Sequence, residues 1–123
     1  MKHIVTWAEI PVNNMERAMN FYREILNVNF KRDEMDGFDF AMFEAGEENI
    51  TGALIHGDGY TPSTEGSVVY LNGGDDLNGP LEIINRLGNQ VLVPKTAIND
   101  GECGYFAQFI DSEGNRVGLY SLK

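Results

Sequence analysis

Two stretches of this chain follow one plan. Ile10 to Phe30, IPVNNMERAMNFYREILNVNF, passes from β-forming residues through an Asn-Asn turn into an amphipathic helix and back to a strand. Leu71 to Val91, LNGGDDLNGPLEIINRLGNQV, repeats the passage. Each is followed by further strand-like segments, so the halves read as two modules of the order strand, helix, three strands. At 123 residues the chain is one domain, 1–123, with modules at approximately 1–60 and 66–123.

Local chemistry supports each element. His3 to Val12 is rich in β-formers. Asn13 followed by Glu16 fits a capping box, and Met15, Ala18, Met19, Tyr22, Ile25 and Leu26 recur at helical spacing, so a helix begins near Asn14. In the second module Asp75, Asp76 or Asn78 is available as the N-cap. Pro80 suits a first turn, Leu81, Ile84 and Leu87 form the apolar face, and Gly88 ends the helix. Strands are expected at Val28 to Asp33, Phe38 to Glu44 and Ile50 to His56, with Asp36-Gly37 as a hairpin turn, then at Ser67 to Asn72, Gln90 to Val93, Tyr105 to Ile110 and Asn115 to Ser121. Gly57 to Gly66 and Pro94 to Gly104 read as loops, the second long enough to cross either a cavity mouth or a sheet edge.

Charge excludes some functions. Nine Lys and Arg against nineteen Asp and Glu give a formal net charge of −10. Such a surface does not release counterions from a phosphate backbone, so nucleic acid is not an expected partner. A membrane span is not expected either, since no run approaches about 18 consecutive apolar residues. The amino terminus has no signal-peptide pattern, and a soluble cytoplasmic protein is the expectation. The one cysteine, Cys103, rules out an internal disulfide and lies in a loop-like run without an evident base. Gly73-Gly74-Asp75-Asp76 lacks the Gly-Lys-Ser/Thr of a phosphate loop, and Asp111 to Gly114 lacks the acids of a calcium loop.

The strand, Pro11-Val12, Asn13-Asn14-Met15-Glu16-Arg17-Ala18 and Asn20-Phe21-Tyr22 together resemble the opening of the glyoxalase, bleomycin-resistance and extradiol-dioxygenase superfamily, the vicinal oxygen chelate fold. Asp111 to Leu119 resembles its closing hairpin, and Gly52-Ala53-Leu54 and Gly66 to Leu71 sit where that family places its fourth and fifth strands. The resemblance implies an α+β fold. Two βαβββ modules would form a mixed, strongly curved eight-stranded sheet around a cup-shaped cavity, and members commonly pair their modules within or between subunits, which implies a homodimer.

In the metal enzymes of that superfamily, four strand positions hold one divalent ion through His and Glu side chains. Carried onto this chain, they fall on Trp7 and Gly118 and near Ala53 and Val68, none of which can ligate a metal. The two histidines, His3 and His56, match none of these positions, and His56 should point away from the face of Ala53. No metal and no other cofactor is expected.

Glu9 is the candidate catalytic residue. In a regular strand it shares Trp7's face, which the resemblance makes the cavity. A carboxylate there loses hydration, which prepares it to take a proton or to bind a cationic or hydroxyl-bearing ligand. A purely structural pairing with an interior partner is the other open role. Alternation also groups Val68 with Tyr70, Gly118 with Tyr120, and Phe106 with Gln108, so the candidate ligand-binding set is Trp7, Ala53, Val68, Tyr70, Phe106, Gln108, Gly118 and Tyr120. At Gly118 the missing side chain leaves space for a ligand or for Trp7.

Two classes of function follow. One is a metal-independent enzyme, related to lactoylglutathione lyase, with Glu9 as base and Tyr70 or Tyr120 as donor to an oxyanion. The other is a binding module that sequesters a small aromatic or cationic molecule, as bleomycin-resistance members do. A divalent-metal lyase or dioxygenase is the least favoured reading.

Overall fold

The computed structural model describes residues 3–46 and 49–123; residues 1, 2, 47 and 48, all within the first module's expected range, lie outside the description. The first module contains β1 (Trp7–Pro11), α1 (Met15–Leu26), β2 (Phe30–Met35), β3 (Phe38–Phe43) and β4 (Thr51–His56). The second contains β5 (Tyr70–Asn72), α2 (Asn78–Arg86), β6 (Val91–Ala97), β7 (Tyr105–Ile110) and β8 (Arg116–Ser121). The strand orders are β1-β4-β3-β2 and β5-β8-β7-β6, the same topology twice. In each module the first and last strands pair parallel and the other neighbours antiparallel.

One expectation changes here. The strands form two separate four-stranded sheets rather than one eight-stranded sheet, because β1 and β5 each remain at the edge of their own sheet. Helices and a turn join the modules instead. α1 packs on α2, β3 and β4, and Phe21 of α1 stacks 6.0 Å from Phe109 of β7, so the helix-facing sides of both sheets merge into one core.

The start of α1 also differs in detail from the expected capping box. Asn14, not Asn13, is the N-cap, its Oδ1 accepting the Arg17 N–H at 3.0 Å. Glu16 is one position too early to reach back, and it pairs with Arg32 on β2. The backbone N–H groups of Asn13 and Asn14 are taken by Glu113, which arrives from the β7–β8 turn. α2 begins without a side-chain cap at Leu77, although Asp76 accepts the Asn78 N–H. Leu77 is buried there, and Leu87, expected on the apolar face, is exposed.

Asp36 and Gly37 both take positive φ, 53° and 85°, as a two-residue hairpin turn matching the strand twist requires. Pairing in β1 starts only at Trp7, opposite Thr51, and β5 is limited to Tyr70–Asn72. β6 runs to Ala97, through the segment expected to be loop. Its register shifts on both sides of Val93, and that irregularity accommodates Pro94, which has no N–H for a ladder. No helix is long and apolar enough to cross a membrane among the described residues.

Candidate functional site

The helices pack on one face of each sheet, and the candidate residues lie on the opposite face. On the first sheet, register pairs Trp7 with Thr51, Glu9 with Ala53 and Pro11 with Ile55, and carries the same face across to Met42 and Phe40 on β3. Trp7 therefore shares Glu9's face, as strand alternation requires. Trp7 is 43% exposed, whereas Ala53 is 2% exposed although it lies on the same face.

Glu9 is an exposed carboxylate, so the desolvation expected for it is not provided by this chain. Its Oε1 accepts a hydrogen bond from the Tyr60 hydroxyl at 2.9 Å. Tyr60 belongs to the Gly57–Gly66 loop and packs edge-on against Phe38 at 5.7 Å. The bond to Glu9, with smaller contributions from desolvation and charge, raises the Tyr60 hydroxyl above its ordinary value of 10.0. Sequence reading passed over Tyr60, because a tyrosine in a Gly-rich loop carries no periodic signal.

On the second sheet the predicted residues gather closely. Tyr70 pairs with Gly118, Gln108 with Gly118 and Phe106 with Tyr120, which places all five on one face. The Tyr70 ring lies directly over Gly118: a Cβ added there would stand 2.3 Å from Tyr70 Cδ1. The space left by glycine is thus occupied by Tyr70 and not by Trp7. Gln108 Nε2 donates to the Tyr70 hydroxyl at 2.7 Å, and Phe106 meets the ring edge-on at 6.3 Å. Tyr70 keeps its own hydroxyl proton for a further acceptor. Tyr120 does not, since its hydroxyl donates to the Cys103 carbonyl at 2.7 Å. Val68 precedes β5, and the residue opposite Gly118 in the ladder is Tyr70.

Two hollows border these residues. One, of about 660 Å³, is bounded by Tyr70, Asn72, Asp75, Tyr120, Leu122 and Lys123. The other is a crevice of about 120 Å³ where β1 meets β8, with Glu9 and Arg116 in its lining.

The donor set does not fit a His and Glu metal centre. His56 stands on the opposite face of β4 from Ala53, with Nδ1 2.9 Å from the Val12 carbonyl. Among the described residues, no group of three His, Cys, Asp or Glu side chains is placed to hold a metal ion.

Comparison with solved structures places the fold. The chain superposes on the glyoxylase/bleomycin resistance protein/dioxygenase domain from Frankia sp. EAN1pec with a TM-score of 0.73 at 15% identity, covering 98% of each chain. TnmS3, described as an antibiotic binding protein from Streptomyces sp. CB03234, matches with a TM-score of 0.67 at 21% identity over 98% of this chain and 96% of its own. The fosfomycin resistance protein FosX from Listeria monocytogenes matches with a TM-score of 0.70 at 14% identity over 98% and 91%. A comparison with functionally curated proteins finds no match. The model of one family matches residues 1–119, nearly the whole chain, and with the repeated βαβββ topology it establishes that the chain belongs to the Glyoxalase/Bleomycin resistance protein/Dioxygenase superfamily.

Proposed function

We propose that this protein binds a planar, amphipathic small molecule on its open sheet faces, as a homodimer whose second copy closes the cup. The observation that carries this reading is the Tyr70 ring, seated over Gly118, held by Gln108 and flanked by Phe106 beside a hollow of about 660 Å³. A hollow of that volume has room for a drug-sized ligand, and in the single chain it is open to solvent. A ring fixed in this way offers stacking area at little entropic cost. The net charge of −10 favours a cationic ligand over an anionic one. Antibiotic binding by TnmS3 and fosfomycin resistance for FosX are functions of those proteins; they make small-molecule capture a natural use of this fold.

The homodimer follows from what one chain leaves uncovered. Trp7, Met35 and Tyr70 are exposed large apolar side chains, and β1 and β5 are unpaired edges. A second copy contributing its complementary module covers both and converts two open faces into a lined cavity.

The enzymatic reading keeps one specific observation in its favour: Glu9 is oriented by Tyr60 and has a second carboxylate oxygen. In that reading Glu9 takes a proton from a small carbonyl or hydroxy compound, and Tyr70 donates to the oxygen that gains charge. Titration with proflavine, a planar aromatic cation, tests the binding reading. Fluorescence polarisation should rise saturably, Tyr70→Ala should weaken binding about tenfold, the loss typical of one stacking residue, and anilinonaphthalene sulfonate should bind far less well. Equal binding by the wild type and Tyr70→Ala would reject the site.

A further inference from the structure

The crevice where β1 meets β8 brings together charges that do not neutralise one another. Its lining includes Glu9 from β1, Arg116 from β8, and Thr61, Ser63, Glu65 and Ser67 from the segment that crosses between modules. Arg116 Nε is buried without a hydrogen-bond partner. Among the described residues the ion pairs are Arg17 with Glu113, Arg32 with Glu16 and with Asp39, and Lys95 with Asp76, so neither Arg116 nor the two acids of the crevice has a charged partner. The enclosed Nε leaves the Arg116 guanidinium partly withdrawn from water with no carboxylate beside it, and an anionic group entering the crevice offsets that cost through the guanidinium charge.

The wall of the crevice is built rather than loose. The Arg116 N–H donates to the Ser63 carbonyl, the Ser63 N–H donates to Asn115 Oδ1 at 3.0 Å, and Ser63 Oγ accepts the Glu65 N–H at 2.9 Å. Asn115 Nδ2 in turn donates to the Pro11 carbonyl at 2.7 Å, tying the wall to the end of β1.

We propose that this crevice is a binding site for a small zwitterionic group of the amino-acid type, with its carboxylate on Arg116 and its ammonium on Glu9 and Glu65. Size and charge select that class. About 120 Å³ is well below a drug-sized pocket and above the roughly 10–15 Å³ that one water needs, so the space suits a group of a few non-hydrogen atoms. A lone carboxylate meets two acids, and a lone ammonium meets Arg116. A zwitterion gives each charge its complement, and the hydroxyls of Thr61 and Ser67 remain for further bonds. The crevice shares Glu9 with the aromatic face, but its occupancy requires no aromatic ligand, so this proposal stands apart from the one above.

Glycine is the probe. In a titration of ¹⁵N-labelled full-length protein, glycine should shift the Arg116 side-chain Nε–H resonance and the Ser63 and Glu65 amides saturably. Acetate and methylamine, each carrying one of the two charges, should move them several-fold less at equal ionic strength, and glycine betaine, which has no N–H, should bind several-fold more weakly than glycine. Arg116→Gln should weaken glycine binding about tenfold, the loss of one charge-assisted contact. Glu65→Gln, on the exposed crossing segment, should do the same, and it supplies the comparison if Arg116→Gln fails to fold. Two results would overturn the proposal: no saturable shift with glycine, which leaves a crevice holding water only, or acetate moving the same resonances as far as glycine. Proflavine polarisation on the same samples reads the aromatic face separately, so either proposal can fail without the other.

Discussion

The Glu113 carboxylate holds the Arg17 guanidinium at 2.7 Å while its other oxygen accepts the backbone N–H groups of Asn13 and Asn14 at 2.9 and 2.8 Å. One side chain from the β7–β8 turn thus caps the first helix of the other module. Beside it, Asp111 accepts the Tyr22 hydroxyl at 2.7 Å and the Glu113 and Asn115 N–H groups at 2.9 Å. The last hairpin is therefore a clamp between modules as well as a turn.

Removing Glu113 should loosen that clamp. Its side chain is fully buried while Arg17 is half exposed, so Glu113→Ala should cost about 2–3 kcal/mol, below the full price of a buried pair. Burial pushes the Glu113 carboxyl up, but hydrogen bonds from Arg17, Asn14, Asn13 and Ser112 outweigh it and leave the group below its ordinary 4.5. A carboxylate depressed on folding stabilises fully above its unfolded value, and that contribution is lost as pH falls through the folded value. The wild type should therefore lose stability below about pH 4.5 more steeply than Glu113→Gln. Denaturant melts between pH 3 and 7 measure the difference; parallel curves would show that Glu113 contributes no such term.

Much of this architecture was legible in the sequence, and the misses share a cause. The amphipathic face of α1, the Asp36-Gly37 turn and the strand β7 are written in neighbouring residues, where 3.6-residue and two-residue periods and turn chemistry act directly. The same-strand pairs Gly118 with Tyr120 and Phe106 with Gln108 were legible from alternation, whereas their joining with Tyr70 on one face depends on strand register, which only the resemblance suggested. Glu113 as the cap of α1 was not, since its partners lie about a hundred positions away in sequence. The same holds for Tyr60 on Glu9, and for the separation into two sheets, which depends on which strands stay unpaired. In β6, the segment from Pro94 was expected as loop, and register shifts let the strand continue through it to Ala97.

Two glycines separate backbone from side-chain constraint. At Gly52 an added Cβ would stand 2.2 Å from the Ala8 carbonyl oxygen, so alanine there must push β1 away from β4. At Gly118 the obstacle is the Tyr70 ring, a side chain 45% exposed that can yield outward at the cost of its Gln108 hydrogen bond. Gly52→Ala should lower stability by at least about 3 kcal/mol, and Gly118→Ala by about 1 kcal/mol. Gly118→Ala should nonetheless weaken proflavine binding, because the ring is displaced from its seat over position 118 and from Gln108. Comparable melts for the two variants would show that the β1–β4 contact gives way easily.

Trp7 is the only tryptophan, and in the single chain its side chain is 43% exposed on the face that the proposed second copy covers. Its emission should shift to shorter wavelength as protein concentration rises, in step with a doubling of mass by sedimentation. Trp7→Ala should weaken association by at least tenfold, as expected for a large aromatic near the centre of an interface. A monomeric mass across the whole range, with unchanged emission, would remove the dimer.

Glu9 offers the sharpest division between a structural and a functional role. Its carboxylate is exposed and makes no ion pair among the described residues, and it accepts a hydrogen bond from Tyr60, itself on a surface loop. Surface contacts of this kind contribute little to folding, so Glu9→Gln should change the melting temperature by no more than a degree or two. The same substitution weakens the hydrogen bond that chiefly raises the Tyr60 hydroxyl and removes the smaller effect of the charge, so its titration should fall back toward 10.0 when followed by tyrosinate absorbance. Binding of proflavine should weaken, because the open face loses its carboxylate, and glycine binding should weaken through loss of the ammonium partner. If Glu9→Gln melts several degrees lower while both ligands bind as before, Glu9 is an anchor for the Gly57–Gly66 loop, and its place in the binding site is wrong.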